Sequence, residues 1–167
     1  MHLKMKMKTQ MKVLRLLFML GLFLFFPLIR KRPSKEMNEW LIVFFMKGYL
    51  SSIFDTLVNK LGYVKYPVNL FKWFDISVLF SYLLYPLSCV YFNQVTKNSN
   101  TVGVLIKVLF FSVPMTIIEI LLEKKTNLIK YNKGWNSIVS FITLTITFLL
   151  VRGIMSIIRQ SSPKSYV

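Results

Sequence analysis

The protein could bind or move a charge through six charged residues that lie within its long apolar stretches. They are Lys47, Asp55, Asp75, Lys107, Glu119 and Arg152. A charged group at the centre of a membrane helix costs about 2.5–3.5 kcal/mol, so such groups often mark a function. The functional hypothesis is that Asp55, Asp75 and Glu119 converge on a site for a proton or a small cation. With two of the bases, the candidate polar site in the membrane comprises Glu119, Asp55, Asp75, Arg152 and Lys47.

The structural interpretation is that each of these charges is neutralised near its own side of a membrane. If successive helices alternate in direction, the three acids lie toward one side and the three bases toward the other. The acids could then pair with lysines of the connections, namely Lys60, Lys72, Lys124 or Lys125, while the bases extend their long apolar stems toward water. Lys47 and Asp55 are eight residues apart, about 12 Å along a helix, so no direct contact between them is expected.

Glu119 is the acid to test first, because it follows Pro114 in the run SVPMTIIEILL. A carboxyl group that faces other helices there needs a hydrogen-bond donor. Candidate donors on the same side of the membrane lie near Tyr131, Asn132 and Trp135. Such a contact contributes only about 0.6–2 kcal/mol in a membrane, yet it can fix one packing arrangement.

The elements that must position these groups are five apolar stretches of membrane-spanning length, over residues 13–29, 40–58, 73–91, 102–122 and 135–158. Within lipid they must be helices, because an isolated strand leaves its backbone groups unsatisfied. The sequence therefore predicts an all-α, polytopic transmembrane helical bundle of about five spans in one domain. A basic tail over residues 1–12 precedes the bundle and a short tail over 159–167 follows it. Three spans open on a tryptophan suited to the lipid interface, at Trp40, Trp73 and Trp135.

The first span follows a lysine-rich lead, as the apolar core of a secretory signal would. Arg30, Lys31, Arg32 and Pro33 come after it, however, and not a small-residue cleavage pattern. We therefore expect this helix to be retained.

Composition places the chain in a membrane. Of its 167 residues, 54 % are hydrophobic, which is more apolar surface than a soluble domain of this size can bury. The 22 Lys and Arg against 6 Asp and Glu give a formal charge of +16. Anionic head groups attract such clusters at about 1 kcal/mol per charge, so the lipid bilayer is the expected partner and nucleic acid is not. The predicted location is the cell membrane, as a multi-pass protein.

Catalytic chemistry has little support. Cys89 is the only cysteine and His2 the only histidine, which excludes a disulfide framework, a thiolate zinc site and a Cys/His pair within one chain. Cys89 lies in an apolar run, where a small buried hydrophobe is expected. Ser112 and Ser140 have no histidine to serve as a base. We expect no enzyme activity, no catalytic residue, no cofactor and no metal ligand; the one metal site left open would join Asp75 to Glu119.

Four segments carry a resemblance to a known family: WLIVFFMKGYLSSIFD, KYPVNLFKWFD, PMTIIEILLEKKTNLIKYNKGWNS and FLLVRG. They span about residues 40–153, and the most specific part is Glu119 followed by Tyr131, Gly134 and Trp135, with Arg152 on the next helix. In these segments the chain resembles a family of small, uncharacterised integral membrane proteins of spore-forming Gram-positive bacteria. The resemblance implies a small helical bundle in the membrane and brings no established activity with it.

Two functions follow from these residues. The first is a non-enzymatic membrane protein that interacts with or organises other components, since the connections are short and no catalytic set is visible. Its partner would be a second copy of the chain or another membrane protein. The alternative is a small proton- or cation-linked carrier or channel that uses its in-span carboxylates.

Overall fold

The apolar stretches form helices in the computed structural model, which describes residues 7–30, 35–71 and 73–161. The helices are α1 (Met7–Arg30), α2 (Lys35–Lys60), α3 (Tyr85–Val95), α4 (Thr101–Lys125) and α5 (Ser137–Ser161). Four of these helices, α1, α2, α4 and α5, are long and apolar enough to cross a membrane. The predicted all-α helical bundle is confirmed.

The predicted boundaries differ from the observed ones mainly at helix ends. Residues 7–12, predicted as part of the basic tail, are the first turns of α1. Residues 1–6 of that tail, residues 31–34 after the first span, Lys72, and residues 162–167 of the C-terminal tail lie outside the described residues.

The third span begins later than its predicted start at Trp73. A π-helical turn over Phe80–Leu84 leads directly into α3, which ends at Val95. Residues before it are held in a turn because two asparagine side chains donate to backbone carbonyls there: Asn69 to Phe74 at 2.7 Å and Asn59 to Asp75 at 2.9 Å. Such side-chain contacts compete with helix formation.

A two-stranded sheet closes one end of the bundle. Strand β1 (Val64–Lys65) lies between α2 and the π-helical turn, and β2 (Lys130–Tyr131) lies between α4 and α5. The strands are antiparallel, with Val64 opposite Tyr131 and Lys65 opposite Lys130. The Asn132 N–H donates to the Tyr63 carbonyl at 2.8 Å and extends the pairing. We call these strands and the connections that carry them the sheet end.

The interior contains two apolar clusters, one toward each end of the bundle. Away from the sheet, Phe92 stacks on Phe148 with ring centroids 5.8 Å apart, and Cys89 is fully buried, as expected for a small hydrophobe. Large apolar side chains such as Phe45 and Phe110 remain exposed on the outside of the helices. Exposed apolar surface of this extent is typical of a face that contacts lipid.

Candidate functional site

A cavity of about 50 Å³ lies inside the bundle near the sheet end. One face of α2 lines it with Lys47, Ser51 and Asp55, which are spaced four residues apart and so follow one another along the helix. Glu119 of α4 and Thr147 of α5 line it from the other side. This volume can hold a small number of water molecules or one small ion.

Asp55 is hydrogen-bonded by neutral hydroxyl groups. Ser81, in the π-helical turn, donates to one carboxylate oxygen, and the Ser77 carbonyl, 2.9 Å from the Ser81 oxygen, is a second acceptor for the same hydroxyl proton. The phenol of Tyr66, directly after β1, lines the same cavity and interacts with the same carboxyl group. Asp55 therefore has partners from a helix and from the sheet end.

Glu119 has a parallel set of partners. Its side chain is buried, and each carboxylate oxygen accepts from a tyrosine: Tyr85, at the start of α3, and Tyr131 of β2, the latter at 2.9 Å. The hydroxyl group of Ser140 lies 3.1 Å from the Tyr131 oxygen and accepts from the Trp135 indole at 3.0 Å. Tyr131 was predicted as a donor to Glu119, and this contact is confirmed.

Two local features of the backbone position these donors. The π-helical turn, in which the Tyr85 N–H bonds the Phe80 carbonyl, is a wider winding often found at functional sites. Ser81 lies within it and Tyr85 directly after it, so one turn serves both acids. The paired strands also provide one donor for each acid, at the sheet end: Tyr131 lies on β2 and Tyr66 follows β1.

The two sheet-end tyrosines remain protonated donors. Burial raises the pKa of Tyr66 well above its usual value, and the negative charges of Asp55 and Glu119 raise it further. Burial also raises the pKa of Tyr131, with the charge of Glu119 as the next cause. Both phenols therefore stay neutral across the physiological range and present an O–H group to the acids.

Lys47 is buried among neutral groups, with 2 % of its surface exposed. Its ammonium group donates to the Thr147 hydroxyl at 2.7 Å and lies 5.1 Å from the Phe148 ring centroid and 5.7 Å from that of Tyr85. Aromatic faces attract cations at such distances. The prediction that this lysine extends toward water was wrong, because Thr147 and the rings hold its ammonium group inside the bundle.

Ser51 is the cavity residue with an unused polar atom. Its hydroxyl oxygen is buried and has no hydrogen-bond partner among the described residues, and the residue as a whole is 5 % exposed. A buried hydroxyl group without a partner costs about 1–3 kcal/mol. An occupant of the cavity would remove that cost.

The structure brings together three of the five predicted site residues. Lys47, Asp55 and Glu119 line one cavity, and no ion pair within 4.0 Å joins the lysine to either acid in the described part of the chain. Asp75 is exposed and lies outside the cavity, so the structure does not bring it to Glu119 as a metal site would require. Arg152 lies at the opposite end of the bundle, where its guanidinium group donates to the Thr96 carbonyl at 3.0 Å.

Other predicted partners also differ. In the described residues neither Asp55 nor Glu119 forms an ion pair with Lys60, Lys124 or Lys125, because hydroxyl groups already occupy their oxygens. Lys107 has partners within the protein and is not bound by water only. Its ammonium group donates to the Val95 carbonyl and to the Ser99 hydroxyl, both at 2.9 Å.

The three tryptophans occupy different environments. Trp73 is 95 % exposed, as an interface anchor would be. Trp40 is 8 % exposed and packs in the apolar cluster away from the sheet. Trp135 lines the cavity and packs on Tyr63, with ring centroids 6.0 Å apart. The predicted lipid-facing position therefore fits Trp73 alone.

Sequence reasoning missed several residues of the site: Ser51, Tyr66, Ser81, Tyr85 and Thr147. A signal for one of them was present, since α5 carries Ser140, Thr143 and Thr147 at spacings that share one face of a helix, and all three line the cavity. Ser81 and Tyr85 gave no such signal, because their direction depends on the π-helical turn.

Comparison with known proteins adds no relative. The chain matches no protein-family model, no curated protein and no solved structure. The residues of the cavity and their contacts are therefore the basis for an inference about function.

Proposed function

We propose that this multi-pass protein of the cell membrane is a small carrier that binds a proton or one monovalent cation in the cavity of Lys47, Asp55 and Glu119. The observation that carries the proposal is the meeting of two carboxyl groups, from α2 and α4, with a single ammonium group in one cavity. When all three are ionised the cavity carries one negative charge in excess. One proton or one monovalent cation neutralises it.

The need for a counter-ion follows from the surroundings. Glu119 is 5 % exposed and α2 and α4 are both of membrane-spanning length, so an uncompensated charge there is strongly disfavoured. Hydroxyl donors lower this cost without removing the charge. The unpartnered oxygen of Ser51 supplies a further ligand atom for a cation or its water.

The size of the cavity favours a carrier over a channel. A space of about 50 Å³ encloses one small occupant and does not form a continuous water-filled path. Movement of the occupant then requires the helices or the sheet end to rearrange around it, as transport by alternating access does.

The test is flux into vesicles that contain the purified protein. We expect a proton, Na⁺ or K⁺ gradient to drive uptake, and Glu119→Gln to reduce uptake to the level of protein-free vesicles because the cavity then has no excess charge. Asp55→Asn, on a different helix, should have the same effect. Glu123→Gln is the matched control, since Glu123 lies one helical turn beyond Glu119 and does not line the cavity.

Full flux in both Glu119→Gln and Asp55→Asn would refute the proposal. Elution of each variant as a single species in size-exclusion chromatography separates loss of transport from loss of folding. Separate arms with protons, Na⁺ and K⁺ identify the transported ion.

The second candidate is a membrane protein that organises or binds other membrane components. The observation that favours it is the hydrogen bonding of both acids, since such networks fix one packing arrangement of helices. Crosslinking in native membranes should then recover a stable partner or a homo-oligomer. A protein that is monomeric in the membrane and active in the flux assay would contradict this candidate.

A further inference from the structure

A second pocket lies outside the cavity, at the sheet end. It is a groove of about 420 Å³, formed by the connection between α2 and the π-helical turn together with the end of α2. This volume is large enough for several water molecules. The groove is therefore a place where a hydrated ion can reside before it loses its water.

The polar atoms of the groove suit a cation. Asn69 donates its amide N–H to the Phe74 carbonyl, and its own amide oxygen is buried with no hydrogen-bond partner among the described residues. The exposed carboxylate of Asp75 lies on the same groove. Lys65 lines it too, so the groove has one charge of each sign and attracts a cation to the Asp75 side.

Tyr66 lies on the boundary between the two spaces. It lines the inner cavity and also the outer groove, and none of the other described residues does both. Its phenol lines the inner cavity together with Asp55 and interacts with the carboxyl group of that residue. A movement of this ring would join the groove to the cavity and free a carboxylate oxygen in the same step.

We infer that the outer groove is the entrance through which a cation reaches the inner cavity, and that Tyr66 is the gate between them. The inference rests on the proposed function and adds to it a route, a side of entry and a residue that controls entry. In this arrangement the oxygens of Asn69 and Asp75 receive the ion first, and those of Asp55, Glu119 and Ser51 receive it last.

The test measures access to the cavity and does not depend on transport. Cys89 is the only cysteine, so Cys89→Ser gives a background in which Ser51→Cys places one thiol in the cavity. The probe is methanethiosulfonate ethylammonium, added to vesicles with the protein in one orientation. We expect slow modification from the sheet-end side and about tenfold faster modification when Tyr66→Ala removes the ring.

Four variants keep the result interpretable. Tyr66→Phe keeps the ring and should leave modification slow. Tyr82→Ala removes an exposed tyrosine that lines neither space and should also leave it slow. Lys65→Trp fills the groove from an exposed position and should slow modification further, whereas Lys130→Trp, at the partner position of the sheet, should not.

Two results would overturn the inference: modification of Ser51→Cys that is unchanged by both Tyr66→Ala and Lys65→Trp, or modification that is equally fast from the opposite side. Failure of the proposed function has a different signature. In that case the Tyr66 and Lys65 variants alter modification as expected, while Na⁺, K⁺ and protons do not move across the membrane in the flux assay.

Discussion

The two ends of the bundle treat their charged residues in opposite ways. Away from the sheet, acids and bases pair directly: Arg159 with Glu39 at 2.8 Å and Lys97 with Glu36 at 3.2 Å. At the sheet end, Asp55 and Glu119 accept from serine and tyrosine hydroxyl groups, and Lys47 donates to a threonine. The first set, called the ion-pair end (Glu36, Glu39, Lys97 and Arg159), is neutralised by its own members.

Arg152 and Lys107 belong with the ion-pair end in this respect. Arg152 donates to the Thr96 carbonyl and Lys107 to the Val95 carbonyl, where α3 ends. The last carbonyls of a helix carry a partial negative charge, and cations near them are stabilising. These two bases therefore stabilise a helix end, although each lies within a long apolar stretch of the sequence, as Lys47 does.

The difference between the two ends indicates that its partner distinguishes a charged residue with a structural role from one that is free to bind an ion. An acid paired with a base has no remaining need for an ion. Neutral hydroxyl groups do not neutralise an ionised acid, so the cavity at the sheet end has one negative charge in excess when Asp55, Glu119 and Lys47 are all ionised. Three substitutions sharpen this contrast.

The largest effect is expected for Lys47→Met. Removal of a unit charge at roughly 6 Å is worth about 2–3 kcal/mol at the effective dielectric of a protein interior, so the cavity should bind a cation about 30- to 150-fold more tightly. Calorimetric titration at alkaline pH, where protons do not compete, measures the affinity. Lys107→Met is the control and should leave it unchanged. Weaker binding after Lys47→Met would show that the lysine is not a competing charge.

An intermediate effect is expected for Arg152→Met. It removes hydrogen bonds from a charged group to the end of α3, which contribute roughly 1.5–3 kcal/mol to the free energy of unfolding. Unfolding in mixed detergent micelles measures this loss, with Arg15→Met, a change at an exposed position of α1, as the control. Cation affinity should not change. If it falls, Arg152 acts on the cavity and the division between the two ends is incorrect.

The smallest effect is expected for Lys97→Ala at the ion-pair end. The lysine and Glu36 are 36 % and 58 % exposed, and such surface pairs contribute about 0.2–1 kcal/mol. The loss should shrink as salt is added, since salt screens exposed charges. A loss that persists at high salt would indicate that packing of the lysine stem, and not its charge, stabilises this end.

Much of the fold could be predicted from the sequence. The apolar stretches 13–29, 40–58 and 102–122 lie within observed helices, and the stretch 135–158 begins two residues before α5, because length and composition suffice to predict a membrane-spanning helix. The third stretch was placed too early. Asn69 binds the Phe74 carbonyl five residues further on, and Asn59 binds the Asp75 carbonyl from the end of α2; a pattern of hydropathy does not record such contacts.

The candidate site was predictable in part. The cost of charge in lipid indicated Asp55, Glu119 and Lys47 as residues of interest, and proximity along the chain indicated Tyr131 as a donor. The same cost indicated Asp75 and Arg152 equally, although one lies on the surface and the other at a helix end. Hydropathy alone gives each the same weight, because it measures neither the direction of a side chain nor its partner.

By itself the sequence determined that this is a helical membrane protein and that its in-span acids and most of its in-span bases lie toward opposite ends, since both properties depend on local composition and helix direction. Only the tertiary structure decided that Asp55, Glu119 and Lys47 share one cavity with Ser51, Tyr66, Tyr85 and Tyr131. That arrangement depends on the rotation of α2, α4 and α5 about their axes and on the π-helical turn before α3. Both are set by packing between segments far apart in the chain.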